Sequence, residues 1–379
     1  MHRTTRSRLN TIRSRRSLMK AAVLRTLAEP FVVEDLDFHP PAADRVLVRT
    51  HATPFCSTDC TNWAGNFGKV PPVILGHASI GEIVEIGSQV RGFAIGQRVL
   101  VPGTPECGTC FYCAAGRPDQ CSELFDNPSG YPIVATDSNG ETIRASGNVG
   151  GYAEMMNISA NQIFELATDL PSDVLSLMGC GITTGLGSVF NAAKVQPGES
   201  VAVVGCGHLG LWVVQAAKLA GAEQIFAIDP NSERRALALK LGATSAVDPD
   251  AEDAVAVVKD NTGGRGADHA IEAAGPAASQ VLAVALARRA GTVVLNGVKA
   301  LGTTVELVQT TIAVQGRTII STQNGNVRMW RDVPRYVRML EQGLLDPEPI
   351  ITGRYRLDQI NDALVASRDL RDLSGLLVF

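Results

Sequence analysis

The sequence predicts an α/β protein in which a doubly wound parallel sheet is joined to a separate, β-rich unit. Three observations carry this. From about residue 186 onward, short apolar strands alternate with helical patterns, the signature of βαβ units and a parallel sheet. The apolar run 201–204 leads directly into Gly205-x-Gly207-x-x-Gly210. Before residue 103, glycine-rich strand signals with few helical ones point to an antiparallel sheet or a small barrel.

Residues 1–18 carry six arginines and no acid, and read as a disordered basic extension, with the folded chain beginning near Met19. Such an end also has the composition of a transit peptide. Residues 20–25 and 45–51 read as strands, and the proline-bearing stretch 31–41 as the connection between them. Further strands are expected at 79–84 and 97–101, with Gly81, Gly87, Gly92 and Gly96 at bends. Residues 103–150 are rich in turn formers and cysteine and short on periodicity. A loop of that length needs something to tie it down.

In the second half, 201–204, 225–228, 244–247, 270–272 and 292–295 read as strands. Helical patterns separate them at 211–219, 232–241, 251–260 and 279–287. Residues 303–322 keep a β-rich character. Helical patterns return at 333–340 and 357–366, and 376–379 reads as a last strand.

A chain of 379 residues with 45% hydrophobic and 19% charged residues fits two globular domains. The net charge of −4, with no basic patch in the body, argues against a nucleic-acid partner. No apolar run is long enough to span a bilayer, so no membrane is expected. Eight cysteines, four of them inside residues 107–121, suggest metal binding in a reducing, cytoplasmic setting rather than a disulfide scaffold.

Those four form Cys107-x2-Cys110-x2-Cys113-x7-Cys121. Four thiolates so close match a tetrahedral, closed and therefore structural zinc site. The metal would substitute for a missing core in the lobe 103–125. A second set is scattered: Cys56, His77 and Cys180. Singly, they read as a small buried residue or a satisfied core histidine. Together they give two thiolates and an imidazole, the donors of a catalytic zinc site with one position open.

The glycine pattern is strengthened by its context. A strand precedes it, a helix follows, and Asp229 ends the next strand 24 residues after Gly205. Gly205 provides the tight turn, Gly207 lets a diphosphate approach the backbone, and Gly210 lets helix and strand pack. Asp229 can accept from an adenosine ribose and would repel a 2′-phosphate, which favours NAD over NADP. Arg234 and Arg235 temper that preference.

At these residues the chain resembles the zinc-containing medium-chain alcohol dehydrogenases, of the long-loop dimeric type, over roughly residues 19–379. The Cys2His zinc set is the one known from alcohol dehydrogenases. The resemblance implies a GroES-like β-barrel catalytic domain from residues 19–184 and 325–379. It also implies an inserted Rossmann dinucleotide-binding domain, 185–324. Two zinc ions per chain are implied: one catalytic, on Cys56, His77 and Cys180, and one structural, on Cys107, Cys110, Cys113 and Cys121. Thr58 would take the alcohol proton and Asp59 would orient His77. Thr184, Leu209, Gly297 and Val298 would surround the nicotinamide of NAD, and Arg234 would lie by its adenosine half.

The implied activity is reversible oxidation of a primary or secondary alcohol to an aldehyde or ketone by a homodimer. Physiological aldehyde reduction and a zinc-stabilised dinucleotide-binding protein with little turnover are the alternatives. Several positions depart from the family pattern. Ala78 stands where a glutamate usually follows the ligand histidine, Ser57 where a base contacts the diphosphate, and Thr61 where a relay histidine is common. Gly103 replaces a frequent pocket aromatic, which predicts a wide pocket for bulky or aromatic alcohols, with Phe67 on the other wall. Phe67 and Phe125 replace charges found in relatives acting on S-hydroxymethylglutathione.

Overall fold

The computed structural model describes residues 18–126 and 131–379. The basic extension expected at 1–18 lies outside the described residues except for Leu18, which is exposed.

The second half folds into a six-stranded, wholly parallel sheet. Its order is Ser245–Val247, Gln224–Ile228, Ser200–Val204, Ala267–Glu272, Ala287–Leu295, Thr318–Ser321. The central strand Ser200–Val204 is buried along its whole length, as its unbroken apolar run requires between two helical layers. Helices begin where the sequence supplies caps. Asn231 accepts from the N–H groups of Glu233 and Arg234 at 2.9 and 3.1 Å and starts Ser232–Leu241. Asp253 does the same for Ala254–Asn261, so this helix starts three residues later than the pattern at 251 suggests. Strand order reverses direction between Ser200–Val204 and Ala267–Glu272. Such a switch point opens a crevice at the carboxyl ends of the strands.

The first half holds a closed barrel of Met19–Leu24, Val32–Phe38, Ile133–Thr136, Thr142–Ala145 and Val73–Ile74. Beside it lies a second sheet centred on Arg45–Phe55, which pairs with Ser79–Ile86, Met155–Ser159 and Ser374–Val378. The chain's last strand therefore returns to the sheet that presents Cys56, with Gly375 opposite Phe55.

Three expectations needed correction. The stretch 31–41 is not a connection but contains the strand Val32–Phe38. Its own prolines, 40 and 41, with Pro30 before it, bound the strand instead of interrupting it, and Leu36 and Phe38 are buried in the barrel. The long loop 103–150 contains two barrel strands, paired as a hairpin. The expected β-rich run 303–322 contains the helix Gln309–Ala313 and only one short strand, Thr318–Ser321. Among the described residues no single helix is long and apolar enough to cross a membrane.

Candidate active site and cofactor cleft

Cys56 follows the end of the strand Arg45–Phe55 and is the N-cap of the helix Ser57–Trp63. In that first turn Asp59 folds back, and its Oδ2 accepts the backbone N–H of Cys56 at 3.2 Å. Its Oδ1 lies 3.1 Å from Nδ1 of His77. Asp59 has no exposed surface. His77 sits in the bend before Ser79–Ile86, and Cys180 between the short helical turn Leu177–Gly179 and the helix Gly181–Gly187. The three ligand atoms of Cys56, His77 and Cys180 all lie within 4.8 Å of one another.

Whether these residues fit a metal can be judged from His77. Its Nε2 is buried with no partner in the protein, while Nδ1 is engaged by Asp59. One ring nitrogen is thus held by a carboxylate and the other is bare among two sulfurs, the arrangement of a carboxylate–histidine–metal set. The donors are those of a zinc site. Without metal the three groups share protons. A hydrogen bond from Cys180 holds the Cys56 thiol well below its ordinary range, and that same bond, with burial, pushes Cys180 up. Burial works against protonation of His77, but Asp59 and Cys180 outweigh it and raise its pKa.

The sulfurs of Cys107, Cys110, Cys113 and Cys121 also lie within 4.8 Å of one another. Backbone N–H groups of Cys110 and Cys113 point at the sulfurs of Cys107 and Cys110, each at 3.4 Å. Amides of Ser122 and Cys113 pull the Cys110 thiol down to about 6, whereas burial lifts Cys113 to about 11. This lobe has almost no apolar core of its own: Phe111 and Tyr112 are exposed.

A single cavity of about 700 Å³ joins the Cys56–His77–Cys180 cluster to the glycine turn. Thr58, Thr184, Leu209, Gly205, Gly207, Asp229, Arg234, Gly297 and Val298 all line it. Gly210 does not; it lies beneath the turn, where a Cβ would come 1.8 Å from the carbonyl oxygen of Gly205. Asp229 is buried and braces the turn. Its oxygens accept from Cys206 N–H at 2.7 Å and Asn231 N–H at 2.8 Å. The two arginines separate: Arg235 pairs with Asp248 at 3.0 Å, and Arg234 faces the cavity.

Two organising residues escape the motif-based reading. Glu272 is fully buried at the end of its strand. It accepts from Ala274 N–H, Gly275 N–H, Ser279 and Gly297 N–H at 2.5 to 3.0 Å, and so binds two cleft loops together. Asn324 accepts from Thr183 and Thr184 at 2.6 and 3.1 Å, tying the helix after Cys180 to the far wall. A charge ending an apolar strand was the only signal for Glu272, and Asn324 had none. Gly103 lines the cavity as expected, but Phe67 is not among the lining residues. A Cβ on Gly103 would lie 2.6 Å from the His77 carbonyl oxygen, so backbone proximity keeps this position bare.

The chain matches the alcohol dehydrogenase GroES-like domain family over residues 42–168 and the zinc-binding dehydrogenase family over residues 209–342. It is 33% identical to geraniol dehydrogenase of Castellaniella defragrans, over 95% of this chain and 97% of that one. Among solved structures, benzyl alcohol dehydrogenase of Acinetobacter calcoaceticus superposes with a TM-score of 0.88 at 30% identity, covering 95% of this chain and 99% of the other. An alcohol dehydrogenase zinc-binding domain protein of Burkholderia ambifaria reaches 0.90 at 31% identity, covering 95% and 98%. With its GroES-like domain, its parallel six-stranded cofactor sheet and two clusters of metal-binding residues, the chain belongs to the zinc-binding medium-chain alcohol dehydrogenases and is a zinc-dependent oxidoreductase of alcohols.

Proposed function

We propose that the protein oxidises bulky apolar alcohols, aromatic or terpenoid, to aldehydes or ketones, with NAD as hydride acceptor. The observation that carries this reading is the shared cavity, in which the Cys56–His77–Cys180 cluster and the glycine turn face one continuous cleft. A zinc ion on that cluster supplies Lewis-acid polarisation of the alcohol oxygen. Asp59 holds the His77 ring so that Nε2 faces the metal position. The Thr58 hydroxyl, on the cavity wall, takes the alcohol proton. Thr184, Leu209, Gly297 and Val298, which line the same cavity, would hold the nicotinamide against the alcohol carbon, and the cofactor would supply the hydride acceptor.

Bulk is supported by the geraniol and benzyl alcohol activities named for two relatives. NAD is supported by the Asp229 carboxylate in the cleft. A homodimer is supported by the strand Thr318–Ser321, whose outer edge pairs with no other strand among the described residues, and by the exposed Val308 and Val314 in the chain segment leading to it.

The test is a kcat/KM panel with NAD and NADP over ethanol, benzyl alcohol, geraniol and S-hydroxymethylglutathione. Benzyl alcohol and geraniol should exceed ethanol by tens-fold, since each buried methylene contributes about 0.8 kcal/mol. Ethanol or the glutathione adduct as best substrate would refute the reading.

A further inference from the structure

We propose that His208, inside the glycine pattern but not one of its glycines, binds the diphosphate of the dinucleotide through its imidazole. The inference rests on the dinucleotide reading given above. His208 is the first residue of the helix His208–Leu219. That helix crosses the helix Gly181–Gly187, which begins directly after Cys180. The two present matched faces. Gly181 and Gly185 stand four residues apart on one, and His208 and Trp212 four apart on the other. A Cβ on Gly181 would lie 1.8 Å from His208 Nε2, and one on Gly185 would lie 2.4 Å from Trp212 Cβ. The imidazole therefore occupies the space a side chain at 181 would need, and the packing fixes where it lies.

That position leaves the ring short of a partner. His208 Nδ1 is buried and makes no hydrogen bond within the protein, and the residue lines the cavity. A neutral imidazole has one donor and one acceptor, so one function of the ring is unmet until a ligand arrives. A buried polar group left in that state costs about 1–3 kcal/mol.

The metal position is the wrong partner. Among the described residues, the ligand atoms clustered within 4.8 Å are those of Cys56, His77 and Cys180, without His208. The diphosphate is the right one. It approaches the backbone of this same turn, and its charge calls for donors. Arg234 stands at the other side of the turn, its Nη1 3.8 Å from a Cβ placed on Gly207. His208 on the Cys180 side and Arg234 on the Asp229 side would flank the two phosphates.

The test titrates NADH by fluorescence and ADP-ribose by calorimetry into the full-length zinc protein, as wild type, His208→Ala and His208→Gln. His208→Ala should weaken both ligands by about tenfold, equivalent to about 1.4 kcal/mol. His208→Gln, which keeps an N–H donor, should stay within about threefold of wild type. Zinc content should match wild type in both variants. Unchanged affinities in His208→Ala would overturn the proposal while leaving the cofactor reading intact. Weakened NADH with unchanged ADP-ribose would also overturn it, placing the ring on the nicotinamide half. A wild type that binds neither NADH nor ADP-ribose would overturn the cofactor reading itself. Gly181→Ala supplies a second arm. It should weaken NADH in the wild-type background and add nothing in His208→Ala, because the ring it displaces is already gone. Equal losses in both backgrounds would refute the fixed placement of the ring.

Discussion

Asp59 and His77 are joined at 3.1 Å between Oδ1 and Nδ1, and the same carboxylate accepts the backbone N–H of Cys56 at 3.2 Å. One buried acid thus orients two of the three candidate zinc ligands. Asp59→Asn keeps the shape and removes the charge. It should weaken zinc retention at this site about 10–100-fold and lower kcat in step. Chelator competition followed by elemental analysis reads this out. Equal zinc-loss rates in variant and wild type would show that the pair does not support the metal.

The four-cysteine lobe should depend on its metal for structure. Residues Cys107 to Cys121 enclose few buried apolar side chains, and Phe111 is 78% exposed. The lobe is held to the rest by polar contacts such as Met329 N–H to Glu106 at 2.8 Å. Cys110→Ser should release it. Limited proteolysis should then cut near residues 107–121 before the cofactor sheet, with a lowered thermal midpoint. His77→Ala should leave this protection intact and abolish turnover. Resistance of Cys110→Ser to cleavage would mean the lobe folds without the metal.

Asp229→Gly should act twice. It removes the charge that opposes a 2′-phosphate, so the NAD over NADP preference in kcat/KM should fall by about tenfold, or about 1.4 kcal/mol. It also removes the acceptor bracing Cys206 N–H at 2.7 Å, so NADH affinity should fall as well. If the wild-type protein already uses NADP better, Arg234 outweighs Asp229 in the cleft.

The open edge of the cofactor sheet predicts assembly. Among the described residues Thr318–Ser321 ends the strand order, and Val308 and Val314, in the segment leading to it, are 68% and 76% exposed. Ile319→Lys should convert dimer to monomer in sedimentation, because a charge on an edge strand blocks further pairing. A wild type that sediments as a monomer at micromolar concentration would exclude this interface.

The sequence by itself determined the parallel cofactor sheet, the glycine turn with the following strand that ends at Asp229, and the four-cysteine group. These are written locally, as 3.6- and 2-residue periods, as glycines at fixed offsets, and as four cysteines within fifteen residues. Tertiary structure decided the rest. That Cys56, His77 and Cys180 meet was decided by the fold. The strand Val32–Phe38 was hidden by its flanking prolines, since only barrel closure shows that Leu36 and Phe38 face inward. Gly103 reads in sequence as spare room for a substrate. In space it is bare because the His77 carbonyl comes too close for any side chain. Glu272 looked like the end of one strand and proved to clamp two loops by their amide groups. Each of these depends on backbone atoms brought together from distant parts of the chain, and a backbone amide or carbonyl leaves no trace in the identity of the residue that carries it.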